Sequence, residues 1–433
     1  MKNVILRNAQ YALTVNSADE ILRNATIVIE NGIIVAINPI DIPDYEIFDA
    51  SEHLIAPGLI NTHTHLAMSL LRGWAEGVNL DGFLERVWAA EGAIMDKETC
   101  QLGTELGAGE ALLSGTTTTL DMYLHPDATH TGAVKVGLRH ICGPIFFDFP
   151  GLDGLEWSDR IAFAKKWPEI FTEIGGAQTP IYFMPHSVYT DSAEHLTEVA
   201  NLGLQMGARV HLHVSETEAE NKMSANTHGK TPTEVVRDTG ILKLPTTYGH
   251  GVHLSDNDIA ISLAHGASVA HCPGSNLKLG SGIADIKHYQ DSGLTVGLGT
   301  DGCSSSNDLD MWSVLRLAAH MVALKHSPAD VDLVKIIRAA TIEGAKAVGL
   351  EKVVGSIEIG KEADLIAIDL RALHLTPIHN VAALLVFAAG RNDVSDVWVA
   401  GDRVVRDRKL TKIDEAELRD RVAKRLVVLD SLR

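Results

Sequence analysis

The sequence predicts an α/β fold. A (β/α)8 TIM-like barrel over residues 58–353 is joined to a composite β-sandwich domain built from residues 1–57 and 354–433. Two of the observations behind this are structural: the middle of the chain alternates apolar strand-like runs with helix-like segments many times, and both flanking segments are rich in strand formers broken by turn signals. The third is chemical. Residues suited to catalysis cluster at the C-terminal ends of the strand-like runs, where barrel enzymes carry their sites.

The elements follow in chain order. NVILRNAQYALTV and ATIVIENGIIVAI read as strands, and Asn31-Gly32 between two apolar runs is a hairpin signal. From residue 58 onward, TTTTLDMY, IYFMPHSV, ARVHLHVS, TTYGHGV, ASVAHCP and LTVGLGTD read as strands. LGTELGAGEALLSG and PTEVVRDTGIL read as helices between such runs. This alternation implies parallel βα units, with an open doubly wound sheet as the alternative closure. GSIEIGKEADLIAIDL and VSDVWVAGDRVVRD, with a turn at Gly401-Asp402, return to strand-like patterning, so the two flanks are expected to fold together into one small sheet domain. No GxGxxG or GxxxxGK[ST] opens a helix, so a phosphate cradle is not indicated.

Composition narrows the function classes. Net charge is −19, from 37 basic and 56 acidic residues, which repels polyanions and argues against a nucleic-acid partner. The longest strongly apolar stretch, Val381 to Ala389, is far short of the ~20 residues a membrane helix needs. MKNVILRNAQ lacks a secretory apolar core, which places the expected compartment in the cytoplasm. Cys100, Cys142, Cys272 and Cys303 form no CxxC pair and read as reduced thiols.

The chemistry is read from strand ends. His63 and His65 in LINTHTHLAM share one strand face and make half of a metal site. In ARVHLHVSETEAE, His211 and His213 share a face and Glu216 follows. One histidine can ligate while the carboxylate stands over a metal-activated water, and His211 reads as a packed core histidine. TTYGHGVHL supplies His250 and His253, and LTVGLGTDGCSSSN ends a strand at Asp301. A strand-end Asp before Gly is by itself more often a turn former. Successive strand ends that each offer His, Glu or Asp instead point to one divalent metal with a proton shuttle beside it. His271 is a possible pocket residue. His53, His125, His130, His140, His195, His288, His374 and His379 read as surface or core.

These residues, with PGLINTHTHLAMSLLRG, SGTTTTLDMY, HVSETEAE, HCPGSNLKLGSGIA, LGTDGCSSSNDLDM, ATIEGAKAVGL and GKEADLIAIDL, resemble the amidohydrolase superfamily. The nearest branch contains 5-methylthioadenosine/S-adenosylhomocysteine deaminases, with chlorohydrolases and other aromatic deaminases nearby. The resemblance implies the barrel and the composite β-sandwich. It implies metal ligands at His63, His65, His213 and Asp301, catalytic roles for Glu216, His250 and Asp301, and substrate contacts from Glu91, His186, Glu216 and Asp301. His186 at the fourth strand end, where binuclear members often carry a lysine, implies a single metal. Zn²⁺ is expected, and Fe²⁺ or Mn²⁺ also suits such ligands. Members that accept S-adenosylhomocysteine resemble one another in having arginines that reach the substrate carboxylate. Here Pro144 stands where one would fall, and Arg160 is the candidate for the second.

The expected activity is hydrolytic release of ammonia from an aminated purine, an adenosine-type nucleoside such as 5-methylthioadenosine. The same site could instead serve a guanine-like base, a pterin or a triazine. A catalytically silent scaffold is the contrasting class. The partners expected are a small heterocyclic substrate and further copies of the chain, with neither nucleic acid nor membrane.

Overall fold

The computed structural model describes residues 3–428, so positions 1–2 and 429–433 of the expected flanking segments lie outside the described residues. Strands β1 (Val4–Leu13), β2 (Ile21–Glu30), β3 (Ile33–Ile37), β4 (Glu46–Asp49) and β5 (His53–Pro57) open the chain. The β2–β3 hairpin turns at Asn31 and Gly32, both with positive φ, as the Asn-Gly pair requires. β1 is long enough to pair antiparallel with β2 on one side and parallel with both β4 and β5 on the other.

The middle carries two parallel arcs. β6 (Leu59–Thr64), β7 (Thr116–Asp121) and β8 (Arg139–Ile141) form the first. β9 (Ile145–Phe146), β10 (Tyr182–Pro185), β11 (Arg209–Val214), β12 (Thr246–His250), β13 (Ser268–His271) and β14 (Thr295–Leu298) form the second. β8 and β9 are parted only by Cys142, Gly143 and Pro144, and a proline has no N–H to give to a ladder. At the other seam, Asp301 N donates to His63 O at 3.0 Å, and Thr62 Oγ1 donates to Leu298 O at 2.9 Å. β14 therefore lies beside β6, and the strand ends bearing His63, His65, Glu216, His250 and Asp301 face one region. The helices between strands start at side-chain caps: Asn79, Asp96, Ser192, Thr217, Thr231 and Ser255 each accept a backbone N–H of the first turn.

β15 (Leu365–Asp369), β16 (Val394–Val399), β17 (Asp402–Arg406) and β18 (Lys409–Leu410) return to the first sheet. Its hydrogen-bonded order is β18-β17-β16-β15-β5-β1-β2-β3, with β4 attached to β1. β15 pairs antiparallel with β5, so the two flanking segments share one sheet. The strand expected over GSIEIGKEADLIAIDL is shorter than read: Gly355 and Gly360 both adopt φ 93°, which turns the chain before Leu365. PTEVVRDTGIL likewise splits into a helix over Pro232–Asp238 and a separate turn over Ile241–Lys243, with Gly240 at φ 85° between them. Arg139, at the start of β8, ties the sheet to the parallel unit. Its Nε and Nη2 donate to Asp364 at 2.9 Å each, and the pair is buried. Among the described residues no helix is long and apolar enough to cross a membrane.

Candidate active site

At the end of β6, His63 and His65 reach the Asp301 carboxylate. Their Nε2 atoms lie 3.4 and 3.1 Å from Asp301 Oδ1. The His213 ring stands 5.0 Å from that of His63 and 5.6 Å from that of His65. Two overlapping groups, His63–His65–Asp301 and His63–His213–His250, each bring one ligand-capable atom per residue within 4.8 Å of the others. All five residues are buried.

Hydrogen bonds set which nitrogen of each ring is free. His65 Nδ1 donates to Met122 O at 2.5 Å, and His213 Nδ1 donates to His186 O at 2.9 Å. Each ring therefore turns its Nε2 toward the cluster. His63 Nε2 is buried and has no hydrogen-bond partner. A buried lone pair aimed at two further imidazole nitrogens and a carboxylate is the donor set of a divalent d-block ion, and these residues fit one. β12 leaves room for the rings at Gly249, where a Cβ would lie 3.3 Å from His63 Cε1 and 3.5 Å from His213 Cδ2.

Asp301 is fixed from behind. Its Oδ1 accepts Gly302 N at 2.8 Å and its Oδ2 accepts Ser305 Oγ at 2.7 Å. Burial would raise its carboxyl, but the imidazoles of His63 and His65 hold it well below the usual range. Burial pushes His63 down to about 4 and His186 down to about 3, so both rings are neutral.

Glu216 stands across the cluster, with His250 Nε2 3.7 Å from its Oε2 and 4.0 Å from Asp301 Oδ2. His250 Nδ1 donates to Asn276 Oδ1 at 2.9 Å, which leaves its Nε2 to face both carboxylates. Burial, followed by the Asp301 charge, raises the Glu216 carboxyl against the lowering pull of His250. Ser281 Oγ donates to Glu216 Oε1 at 3.4 Å. Glu220 holds the turn beneath it, accepting Ser215 N at 3.0 Å and Glu216 N at 2.6 Å. Three residues at these strand ends, Ser215, His250 and Asp301, adopt left-handed φ of 52°, 70° and 59°. Such conformations cost on the order of 1–3 kcal/mol each in non-glycine residues and gather at functional sites.

A cleft opens from this cluster. Glu91, His186, Glu216, His250 and Asp301 all line it, together with His65 and His213. Tyr123 Oη donates to Glu91 Oε1 at 2.5 Å, and burial raises the Glu91 carboxyl to about 7. The sequence motifs include Tyr123, Asn276, Ser281 and Glu220 without marking a role for them: the contacts of the first three are set by the packing of distant strand ends, and those of Glu220 by the local turn after β11. His211 is buried, as read, and its Nε2 lies 2.7 Å from His63 Nδ1. His253 Nε2 donates to Ser281 O at 2.6 Å, behind the cleft. His271 is fully buried and does not line the cleft. Arg160 points elsewhere: it is 1 % exposed and bound to Asp153 through two contacts of 3.0 and 2.6 Å. His130, His140 and Cys142 form another group of metal-capable atoms away from the cleft. There, His140 bonds Asp121 through Nε2 at 2.8 Å and His130 through Nδ1 at 3.2 Å, so both His140 ring nitrogens are already engaged.

Comparison with known proteins matches the amidohydrolase family over residues 54–404. The chain is 35 % identical to 5-methylthioadenosine/S-adenosylhomocysteine deaminase of Thermodesulfovibrio yellowstonii, covering 97 % of both chains. It is 37 % identical to the protein of that name from Pyrococcus furiosus, over 92 % of this chain and 94 % of the other. The solved structure of an adenosine deaminase from Xanthomonas campestris with bound zinc superposes with TM-score 0.94 at 32 % identity, over 99 % of this chain and 98 % of that one. Atrazine chlorohydrolase from Arthrobacter aurescens shares the fold, with TM-score 0.89 at 24 % identity over 98 % of this chain and all of the other.

Proposed function

We propose, from the premise that this chain belongs to the amidohydrolase family, that it is a metal-dependent hydrolase that releases ammonia from the aminated ring of an adenosine-type nucleoside. The observation that carries this reading is the convergence of Glu216 Oε2 and Asp301 Oδ2 on His250 Nε2, at 3.7 and 4.0 Å, beside the His63–His65–Asp301 cluster. Hydrolytic deamination needs a proton donor, a proton acceptor and a group that orients water, and these three residues supply them.

His63, His65, His213 and Asp301 would hold one divalent ion per subunit, and we take it to be zinc, as in the Xanthomonas campestris structure. An ion bound there supplies Lewis-acid activation of water at neutral pH. Asp301 Oδ2 takes the proton of the attacking water, and His250 Nε2 orients that water toward the ring carbon bearing the amino group. Glu216, its carboxyl raised by burial, protonates the adjacent ring nitrogen. The proton of the newly added hydroxyl then passes through Glu216 to the amine, the C–N bond breaks as the carbonyl forms and ammonia leaves, and the proton held by Asp301 returns to Glu216. Glu91, braced by Tyr123, accepts the ribose hydroxyls, and neutral His186 contacts the base from the end of β10. The domain reading stays that of the sequence: a catalytic parallel unit over 58–353 and a composite sheet domain from the flanks. A small nucleoside substrate fits a cytoplasmic enzyme, and a homo-oligomer is the assembly we assign.

The test is ammonia release from adenosine and 5-methylthioadenosine by the zinc-loaded protein, followed together with the absorbance change of the base. Stoichiometric ammonia and a deaminated nucleoside support the reading. Release from guanine, a pterin or a triazine, with none from either nucleoside, overturns it.

A further inference from the structure

The part of the cleft leading away from Asp301 is walled by the helix Leu80–Ile94. Its Glu91, Val87 and Leu84 follow one another at spacings of four and three residues and so share one face. Leu84 lies about 10 Å along the helix axis from Glu91 at 1.5 Å per residue. Phe147 and Leu152 add further apolar surface to this wall. Among the described residues lining the cleft there is no lysine or arginine, and its ionisable acids are Glu91, Glu216 and Asp301. Cations adjoin the wall without lining it. Exposed Arg86, between Leu84 and Val87 on the wall helix, donates from Nη1 to Glu76 O at 3.0 Å. Arg160 lies behind Phe147, its guanidinium carbon 5.1 Å from the ring centroid, and is bound by Asp153 and by Ile145 O. Lys278, beside the lining residue Leu279, is bound by Glu76, Asn307 and Ser304 O at 2.9, 2.8 and 2.9 Å.

We infer that this site selects among adenine nucleosides by the charge of the 5′ substituent: it takes a hydroxyl or an apolar alkylthio group there and rejects a tail that ends in a carboxylate. The inference rests on the nucleoside reading above and goes beyond it. It also parts this chain from relatives named for both 5-methylthioadenosine and S-adenosylhomocysteine. A carboxylate moved from water into this cleft loses its hydration and meets no lysine or arginine, while the acids Glu91, Glu216 and Asp301 already line it. A methylthio group meets the Val87, Leu84 and Phe147 side chains instead, and its burial is favourable.

The experiment measures kcat/KM for ammonia release from four compounds by the full-length zinc-loaded protein: adenosine, 5-methylthioadenosine, S-adenosylhomocysteine and the neutral thioether 5′-butylthioadenosine. S-adenosylhomocysteine is expected at least about a hundredfold below 5-methylthioadenosine, with the butyl thioether close to the methyl one. Equal values for S-adenosylhomocysteine and 5-methylthioadenosine overturn the inference and leave the nucleoside reading standing. Rejection of the butyl thioether as strongly as of S-adenosylhomocysteine also overturns it, because length and not charge is then what is excluded. No release from any of the four overturns the nucleoside reading, and this inference with it. Leu152, 37 % exposed at the wall, can take a longer side chain without burying it. Leu152→Arg is expected to raise the ratio of S-adenosylhomocysteine to 5-methylthioadenosine turnover about tenfold by supplying a charge partner. A ratio that stays fixed in that variant counts against charge as the selector.

Discussion

His211 Nε2 lies 2.7 Å from His63 Nδ1, while His211 Nδ1 lies 2.8 Å from Thr247 O. A carbonyl oxygen only accepts, so His211 carries its proton on Nδ1. Burial holds both rings neutral, which leaves His211 Nε2 as an acceptor. His63 must then donate from Nδ1, and its lone pair stands on the unpartnered Nε2 beside Asp301. One backbone oxygen on β12 thus decides, through two rings, which face of His63 can bind a cation.

Replacing His211 by leucine strands the His63 Nδ1–H in the core and releases the tautomer. Zinc affinity is expected to fall about 10–100-fold, the usual effect of losing such an outer partner. Competition with a chromophoric chelator measures it. An unchanged affinity would separate His211 from the metal site.

Glu216→Gln keeps the shape of the side chain and removes its proton exchange. Turnover is expected to drop by roughly 10²–10⁴ with zinc content unchanged. Asp301→Asn is expected to lower both, because the same carboxylate sits 3.1 Å from His65 Nε2 and 3.4 Å from His63 Nε2. Metal analysis alongside steady-state kinetics separates the two residues, and full zinc with normal kinetics in Asp301→Asn would refute its ligand role.

Glu91→Ala removes the carboxylate that Tyr123 braces. KM for nucleosides is expected to rise about tenfold or more, the loss of roughly one to two buried hydrogen bonds. A free aminated base, lacking ribose, should show no such change. A rise of the same size for both classes would remove the ribose role.

Stability should also depend on pH through Glu91. Burial raises its carboxyl from 4.5 to about 7, so the folded chain keeps a proton that the unfolded chain has lost. The stability associated with that proton is complete below about pH 4.5 and declines as pH rises through 7. In Glu91→Gln this decline is absent. The Tm of the variant relative to the parent should therefore climb between these values and level off above them. A difference that stays flat with pH would show that Glu91 is ionised in the folded protein.

Much of the fold was legible because its signals are local. Asn31-Gly32 needs only its neighbours to make a hairpin, and the strand runs of the middle carry their apolar patterning within a few residues. The set His63, His65, His213, Glu216, His250 and Asp301 was legible because parallel strands bring their C-terminal ends to one side whatever lies between them. The tautomer relay through His211 and Thr247 was not, since it depends on the register His211↔Thr247 between β11 and β12. Tyr123 under Glu91 joins the end of β7 to a helix of the preceding connection, and no periodicity reports that contact. Arg160 could be named from the sequence, but its capture by Asp153 is a matter of loop geometry.

The shared sheet also has a consequence for synthesis. β5 ends at Pro57 and lies between β1 and β15, and β15 begins only at Leu365, so about three hundred residues separate these two neighbours on the ribosome. At ~5–20 residues per second, the first strands wait roughly 15–60 s before their partner emerges. During that interval the edge of β5 is unpaired and its apolar residues Leu54 and Ile55 lack their cover. The N-terminal strands thus emerge with an unpaired sheet edge, the kind of surface that invites pairing with other chains until β15 arrives.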